Sequence, residues 1–264
     1  MTSARIPVLF IHGLWLHADS WTSWVDRFTE AGYEASAPGW PGDSSTVEES
    51  RQHPERIAGH SIEDVVEHYA RLIAGFSASP VVVGHSFGGI IAQRLLGQQL
   101  ARAAVAVDAA PIKGVIYLPP SALRVASVAL RDPRNIKRAV SLTPDQFRYG
   151  FGNALSVQES QELYDRWTIP SPGKPLFEAA TANFVPRSSA KVITDAAGRG
   201  PLLLMAGGRD HTVPASITRS TRKLYKSGVV DYHEFPDRGH SLGIDHGWRE
   251  VADVAVDWLG RQSL

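Results

Sequence analysis

The sequence predicts an α/β fold: a mostly parallel, doubly wound sheet of about six strands, helices on both faces, and an inserted helical segment between two parts of the core. Three observations carry this. Short aliphatic and β-branched runs alternate with segments of helical periodicity. The runs are apolar throughout, as strands covered on both faces are. Finally, His12, Ser86, Asp108, Asp210 and His240 each follow the end of a strand-like run. In a parallel sheet that places five polar or reactive groups on one rim, where such sheets bind ligands.

The elements follow in order. Ile6–Ile11 reads as a buried strand ending in His12-Gly13-Leu14-Trp15. Asp19 or Ser20 caps a helix whose Trp21, Trp24, Val25 and Phe28 share a core-facing stripe, and Gly32 stops it. Tyr33–Ala37 is a second strand, and Pro38–Ser44 a turn-rich loop. Residues 45–60 read as polar and irregular. Ser61 caps a helix with Asp64 in its first turn and Ile62, Val65, Val66, Tyr69, Leu72 and Ile73 as its buried stripe. Pro80–Val83 begins the third strand, and Ala103–Val107 is the fourth, ending at Asp108. From Pro111 prolines punctuate short helical segments with no convincing strand, so 112–190 reads as an inserted helical cap between core segments 1–111 and 191–264. Pro201–Ala206 and Val229–Phe235 are the last strands, separated by a helix from Pro214 to Gly228, and an amphipathic helix over 251–259 closes the chain.

Composition sets the outer limits. The chain has 264 residues, 43% hydrophobic and 20% charged, as in an ordinary globular domain. A formal net charge of +0 supplies no global field for nucleic acid or an anionic membrane. With no cysteine there is no disulfide, thiolate chemistry or cysteine zinc site. The ten histidines show no His-x-x-x-His or Glu-paired zinc spacing, and no Gly-x-Gly-x-x-Gly follows the first strand. The expectation is therefore no metal and no nucleotide cofactor. Met1–Arg5 lead straight into a strand, no signal-peptide core is visible, and no apolar stretch is long enough to span a bilayer. A cytoplasmic location is expected; oligomeric state is open, a homodimer included.

The chemistry centres on Gly84-His85-Ser86-Phe87-Gly88-Gly89, between a β-branched strand and the helical run Ile90–Leu96. A serine on a sharp strand-to-helix turn needs small neighbours, which Gly84 and Gly88 provide. The turn lifts the hydroxyl above the sheet and sets it at a helix N-terminus, where free N–H groups favour developing negative charge.

In combination, His12-Gly13, Gly84-His85-Ser86-Phe87-Gly88-Gly89, Gly207-Gly208-Arg209-Asp210 and Gly239-His240 resemble the α/β-hydrolase superfamily, in its serine-nucleophile, cap-bearing esterase or haloperoxidase-like branch. The resemblance spans nearly the whole chain and implies a strand order of 2-1-3-4-5-6. The sheet is shortened at one edge, where many members carry an extra strand pair. The resemblance implies Ser86 as nucleophile, His240 as general base and Asp210 as the acid orienting it. Asp108, also at a strand end, is the rival acid. Backbone N–H groups of Leu14 and Phe87 are the implied oxyanion donors, with Trp15 a less favoured alternative. Serine rather than aspartate at the elbow points to acyl transfer to water, on a carboxylic ester, thioester or lactone. Carbon–carbon bond hydrolysis, cofactor-free perhydrolysis and a slow-turnover receptor are the alternatives. Trp15, Phe151, Trp167 and Phe177 are candidate walls for a small apolar acyl substrate. Leu14 and Trp40 also lie among the candidate rim residues.

Overall fold

The computed structural model describes residues 5–262 and Leu264. The readings that touch Met1–Ala4, the missing leader and the first four residues of the core segment, lie outside the described residues. In chain order the elements are β1 (Pro7–Ile11), α1 (Thr22–Glu30), β2 (Glu34–Ser36), α2 (Val47–Gln52), α3 (Ile62–Ile73), β3 (Val81–His85), α4 (Phe87–Gly97) and β4 (Ala103–Val107). There follow α5 (Pro120–Leu130), β5 (Ala139–Val140), α6 (Pro144–Gly150), α7 (Val157–Trp167), β6 (Ser171–Pro172), α8 (Lys174–Thr181), β7 (Leu202–Gly207), α9 (Ala215–Leu224), β8 (Val230–Phe235) and α10 (Trp248–Gly260).

Six strands form one sheet in the order β2-β1-β3-β4-β7-β8, and each neighbouring pair is parallel. This is the order expected from the resemblance. Alternate residues of the central strands face opposite layers, because side chains alternate along a strand. Leu9, Ile11, Val82, Ala104, Ala106, Leu202 and Leu204 join the apolar cluster beneath α3, α4 and α9. Val8, Phe10, Val81, Val83, Val105, Leu203 and Met205 join the cluster under α1 and α10. Each such buried aliphatic or aromatic side chain contributes roughly 1.5–3 kcal/mol, so the two-sided sheet is the stable platform for everything on its rim. Trp21, Trp24 and Phe28 pack around Phe10 with ring centroids 5.1, 6.1 and 5.1 Å away; these aromatics fill the core.

The structure departs from the sequence reading in several places. Neither Asp19 nor Ser20 caps α1, which starts at Thr22 behind Trp21 with no side-chain cap, and Leu72, expected in the buried stripe of α3, is exposed. Residues 45–60 are not irregular: Thr46 accepts the Glu49 N–H at 3.1 Å and starts α2. Within 112–190 a two-residue antiparallel pair, β5 with β6, accompanies the four helices. And α9 stops at Leu224, because Tyr225 turns extended and its hydroxyl reaches inward to Gln93 Oε1 at 2.9 Å. Helix α3 starts as its sequence suggests: Ser61 Oγ accepts the Asp64 N–H at 3.0 Å and Asp64 Oδ2 accepts the Ser61 N–H at 2.8 Å. No helix among the described residues is long and apolar enough to cross a membrane.

Candidate active site

Ser86 sits where β3 ends and α4 begins, in a strained backbone conformation with φ 54° and ψ −117°. Non-glycine residues rarely adopt it, and such strain clusters at functional sites. The sequence permits it locally. A Cβ on Gly84 would collide with the Gly88 carbonyl, and one on Gly88 with the Ile11 carbonyl. The loop after β1 also comes close: a Cβ on Gly13 would lie 2.7 Å from the Ser86 Cβ. This contact brings Leu14 to the nucleophile side of the sheet. Among the described residues, neither the Leu14 N–H nor the Phe87 N–H donates to a protein acceptor, whereas the Trp15 N–H is taken by Ser171 Oγ at 2.5 Å. Of the candidate donors, Leu14 and Phe87 are therefore the pair left available.

His240 is fully buried in the loop after β8, with Nδ1 donating to Asp210 Oδ2 at 2.6 Å. Asp210, in the loop after β7, is fixed in turn: its Oδ1 accepts the N–H groups of Thr212 (2.6 Å) and Val213 (2.8 Å). His240 Nε2 makes no hydrogen bond, to Ser86 Oγ or to any other described group. An imidazole held on one nitrogen by a carboxylate, with the other free, is equipped to accept a proton there.

A second carboxylate flanks this pair. Asp108 follows β4 with φ 43° and is wholly buried. Its Oδ1 accepts the Gly207 N–H at 2.7 Å; its Oδ2 lies 3.9 Å from His240 Nδ1 and has no partner. Burial, then the neighbouring Asp210 charge, push the Asp108 carboxyl well above the usual carboxylate range. His85, beneath the elbow, meets the His240 carbonyl through Nε2 at 2.9 Å. Burial, then the His240 ring, hold its pKa well below the ordinary histidine value, so the neutral ring donates that bond. His12 binds the Gly13 carbonyl through Nδ1 and Asp43 Oδ2 through Nε2, both at 2.8 Å, and so ties the loop after β1 to the loop after β2. Trp40, placed on the rim by the sequence reading, stacks on His12 and donates its indole N–H to the His12 carbonyl at 3.0 Å. Among the described residues one group of three potential metal ligands lies together, His85, Asp108 and His240. His85 Nε2 and His240 Nδ1 are committed to a carbonyl and to Asp210, while His85 Nδ1, His240 Nε2 and Asp108 Oδ2 are buried without a partner.

Ser86 opens onto a cavity of about 170 Å³. Ala122, Val125, Ala126 and Leu130 of α5, Leu176 of α8 and Ile217 of α9 line it with Trp15 and Phe87; Ser86 and Thr212 supply hydroxyls. Of the four wall residues expected from the sequence, only Trp15 faces this cavity. Phe151 stands edge-on against the His240 ring, centroids 4.7 Å apart. Trp167 lies under the Arg166 guanidinium, 4.4 Å away. Phe177 is replaced at the wall by Leu176, because one residue turns a helix face by a quarter-turn or more. The aliphatic wall of α5 and α8 was missed, having no aromatic signal to mark it.

The sequence profile of the Alpha/beta hydrolase family matches residues 8–254. The chain belongs to the alpha/beta hydrolase family. Several solved structures share the hydrolase fold over nearly their whole length. The monoacylglycerol lipase of Paleococcus ferrophilus is 22% identical with a TM-score of 0.69, over 96% of this chain and 93% of the other. A pyrethroid hydrolase from Sphingobium faniae is 15% identical at 0.70, over 98% and 99%. A thermophilic esterase from Thermogutta terrifontis is 17% identical at 0.66, over 98% and 91%. No curated protein matches the sequence significantly. At these identities the structural likeness speaks for the hydrolase fold alone.

Proposed function

We propose that this hydrolase cleaves carboxylic esters of small, neutral, apolar acyl groups, with thioesters and lactones in the same chemical class, through an acyl-enzyme on Ser86. The observation that carries the reading is the strained Ser86 opening directly onto an aliphatic cavity. His240 Nε2 takes the Ser86 proton as Oγ attacks the acyl carbon, and the developing oxyanion accepts the N–H groups of Phe87 and Leu14. As the tetrahedral adduct collapses, His240 returns the proton to the departing alkoxide. Water then attacks the acyl-enzyme, passes its proton to His240, and the acid leaves as Ser86 is reprotonated. Asp210 holds the imidazole with its proton on Nδ1 and stabilises the imidazolium. A cavity without charged side chains favours uncharged acyl chains. The segment 112–190 acts as the cap over that cavity. Names among the structural neighbours, a monoacylglycerol lipase and an esterase, support ester cleavage.

The test is hydrolysis of p-nitrophenyl esters of increasing acyl length by the wild type and Ser86→Ala. Turnover falling on the order of 10⁶-fold in the variant is the expected result. Equal turnover in both proteins refutes the acyl-enzyme.

A further inference from the structure

Every hydrogen-bonding group of Trp15 is committed to the segment 112–190. Its N–H donates to Ser171 Oγ at 2.5 Å, its carbonyl accepts the Ile169 N–H at 3.1 Å, and its indole N–H reaches the Val140 carbonyl at 3.0 Å. Next to it Leu16 bridges Thr168 antiparallel, and the His17 N–H donates to the Trp167 carbonyl at 3.0 Å. Residues 167–171 thus run as a strap along the loop that carries Leu14. The strap is held from its other side by Arg51 of α2, whose guanidinium donates to the carbonyls of Thr168, Tyr164 and Asp165 at 2.8, 3.1 and 2.8 Å.

The loop needs holding. Trp15 has φ 67°, in the left-handed region that a residue with a Cβ disfavours and keeps only where its surroundings enforce it. The Trp15 N–H belongs to the Leu14–Trp15 peptide unit, so a turn of that unit resets ψ of Leu14 and φ of Trp15, the torsions next to the Gly13–Leu14 unit that carries the Leu14 N–H. Ser171 is buried, and its hydroxyl is the side-chain acceptor that fixes this unit.

We propose that Ser171 is a positioning residue: by capturing the Trp15 N–H, it locks the loop so that the Leu14 N–H faces the oxyanion formed at Ser86. The inference rests on the acyl-enzyme reading above. It assigns residues 167–171 a part in the chemistry besides covering the cavity.

The test combines kinetics with hydrogen exchange. In Ser171→Ala, kcat for a p-nitrophenyl ester falls about 10- to 100-fold, the scale of a small misplacement of catalytic groups, while KM stays nearly unchanged. Affinity for butylboronic acid, which forms a tetrahedral adduct, falls in proportion, and affinity for butyrate does not. Amide exchange over residues 12–17 accelerates. Ser171→Cys, similar in shape but a weak acceptor, shares the loss, and Ser171→Thr restores most of the activity, which guards against a fold that Ala alone disturbs. Wild-type kcat and boronate affinity in Ser171→Ala overturn the inference, as does parallel loss of boronate and butyrate binding, which marks a deformed cavity. Retained turnover in Ser86→Ala would instead remove the acyl-enzyme reading; unchanged exchange over 12–17 in Ser171→Ala overturns the clamp in either event.

Discussion

Asn substitutions at the two buried aspartates separate the orienting acid from its neighbour. In Asp210→Asn the amide can sit only one way. The N–H groups of Thr212 and Val213, 2.6 and 2.8 Å from Oδ1, demand an oxygen there. The NH₂ group is therefore forced to the Oδ2 position, 2.6 Å from His240 Nδ1. Two donors cannot face each other, so His240 must carry its proton on Nε2 and cannot accept one from Ser86. The cost is about 10⁴ in kcat, or roughly 5 kcal/mol of transition-state stabilisation. In Asp108→Asn the Gly207 N–H, 2.7 Å from Oδ1, likewise fixes the amide oxygen. Its NH₂ then lies where Oδ2 now has no partner, 3.9 Å from His240 Nδ1 and beside Asp210. The His240 tautomer is untouched, and kcat is expected to fall less than about tenfold, one factor of 1.4 kcal/mol. The assay is steady-state hydrolysis of a p-nitrophenyl ester by both variants, with covalent labelling of Ser86 by a fluorophosphonate as a second readout. If Asp108→Asn proves the more damaging, the assignment of Asp210 as the acid is refuted.

Two further outcomes are expected. Asp108→Asn should raise stability near pH 7 by about 1 kcal/mol, the worth of satisfying one buried polar group. The sign follows from linkage: a carboxyl held above its usual range binds a proton in the folded state that the unfolded chain releases, so wild-type stability declines as pH climbs above the ordinary carboxylate value. The gain should shrink towards pH 3, and thermal unfolding across that range measures it. Ala126→Phe should fill part of the cavity wall on α5 and lower kcat/KM for long acyl esters by at least about tenfold, on the scale of one or two methylenes. Acetate esters should be little affected, and a uniform loss at every chain length would refute the placement of the acyl chain.

Much of this molecule could be read from its residues. The strands were visible because strands covered on both faces are unbroken apolar runs, as in Val81-Val82-Val83 and Leu202-Leu203-Leu204. Ser86 stood out because a serine between two glycines after such a run has few structural uses, and Asp210 and His240 because each directly follows a strand or its short loop. Helix α2 was missed although Thr46-Val47-Glu48-Glu49 carries a capping signature; six residues with a polar face give almost no periodicity. The cavity wall escaped for a different reason. Aromatic side chains mark themselves in a sequence, but whether Trp167 or Leu176 turns towards Ser86 depends on helix rotation fixed by tertiary packing. The commitment of the Trp15 N–H was also invisible, since its partner lies 156 residues away.

The apolar residues of 112–190 do not form a nucleus of their own. Val125, Ala129, Leu142, Phe147 and Leu163 belong to the same buried cluster as Ile90, Leu95 and Leu204. A segment that shares its oil with the platform cannot melt ahead of it. Heating should yield one cooperative transition rather than two, and excising the segment should leave a sticky remnant instead of a smaller working protein. Val125, Leu176 and Ile217 line the cavity and belong to that same shared cluster, so exchanging a wall residue also alters the core that keeps the whole chain folded.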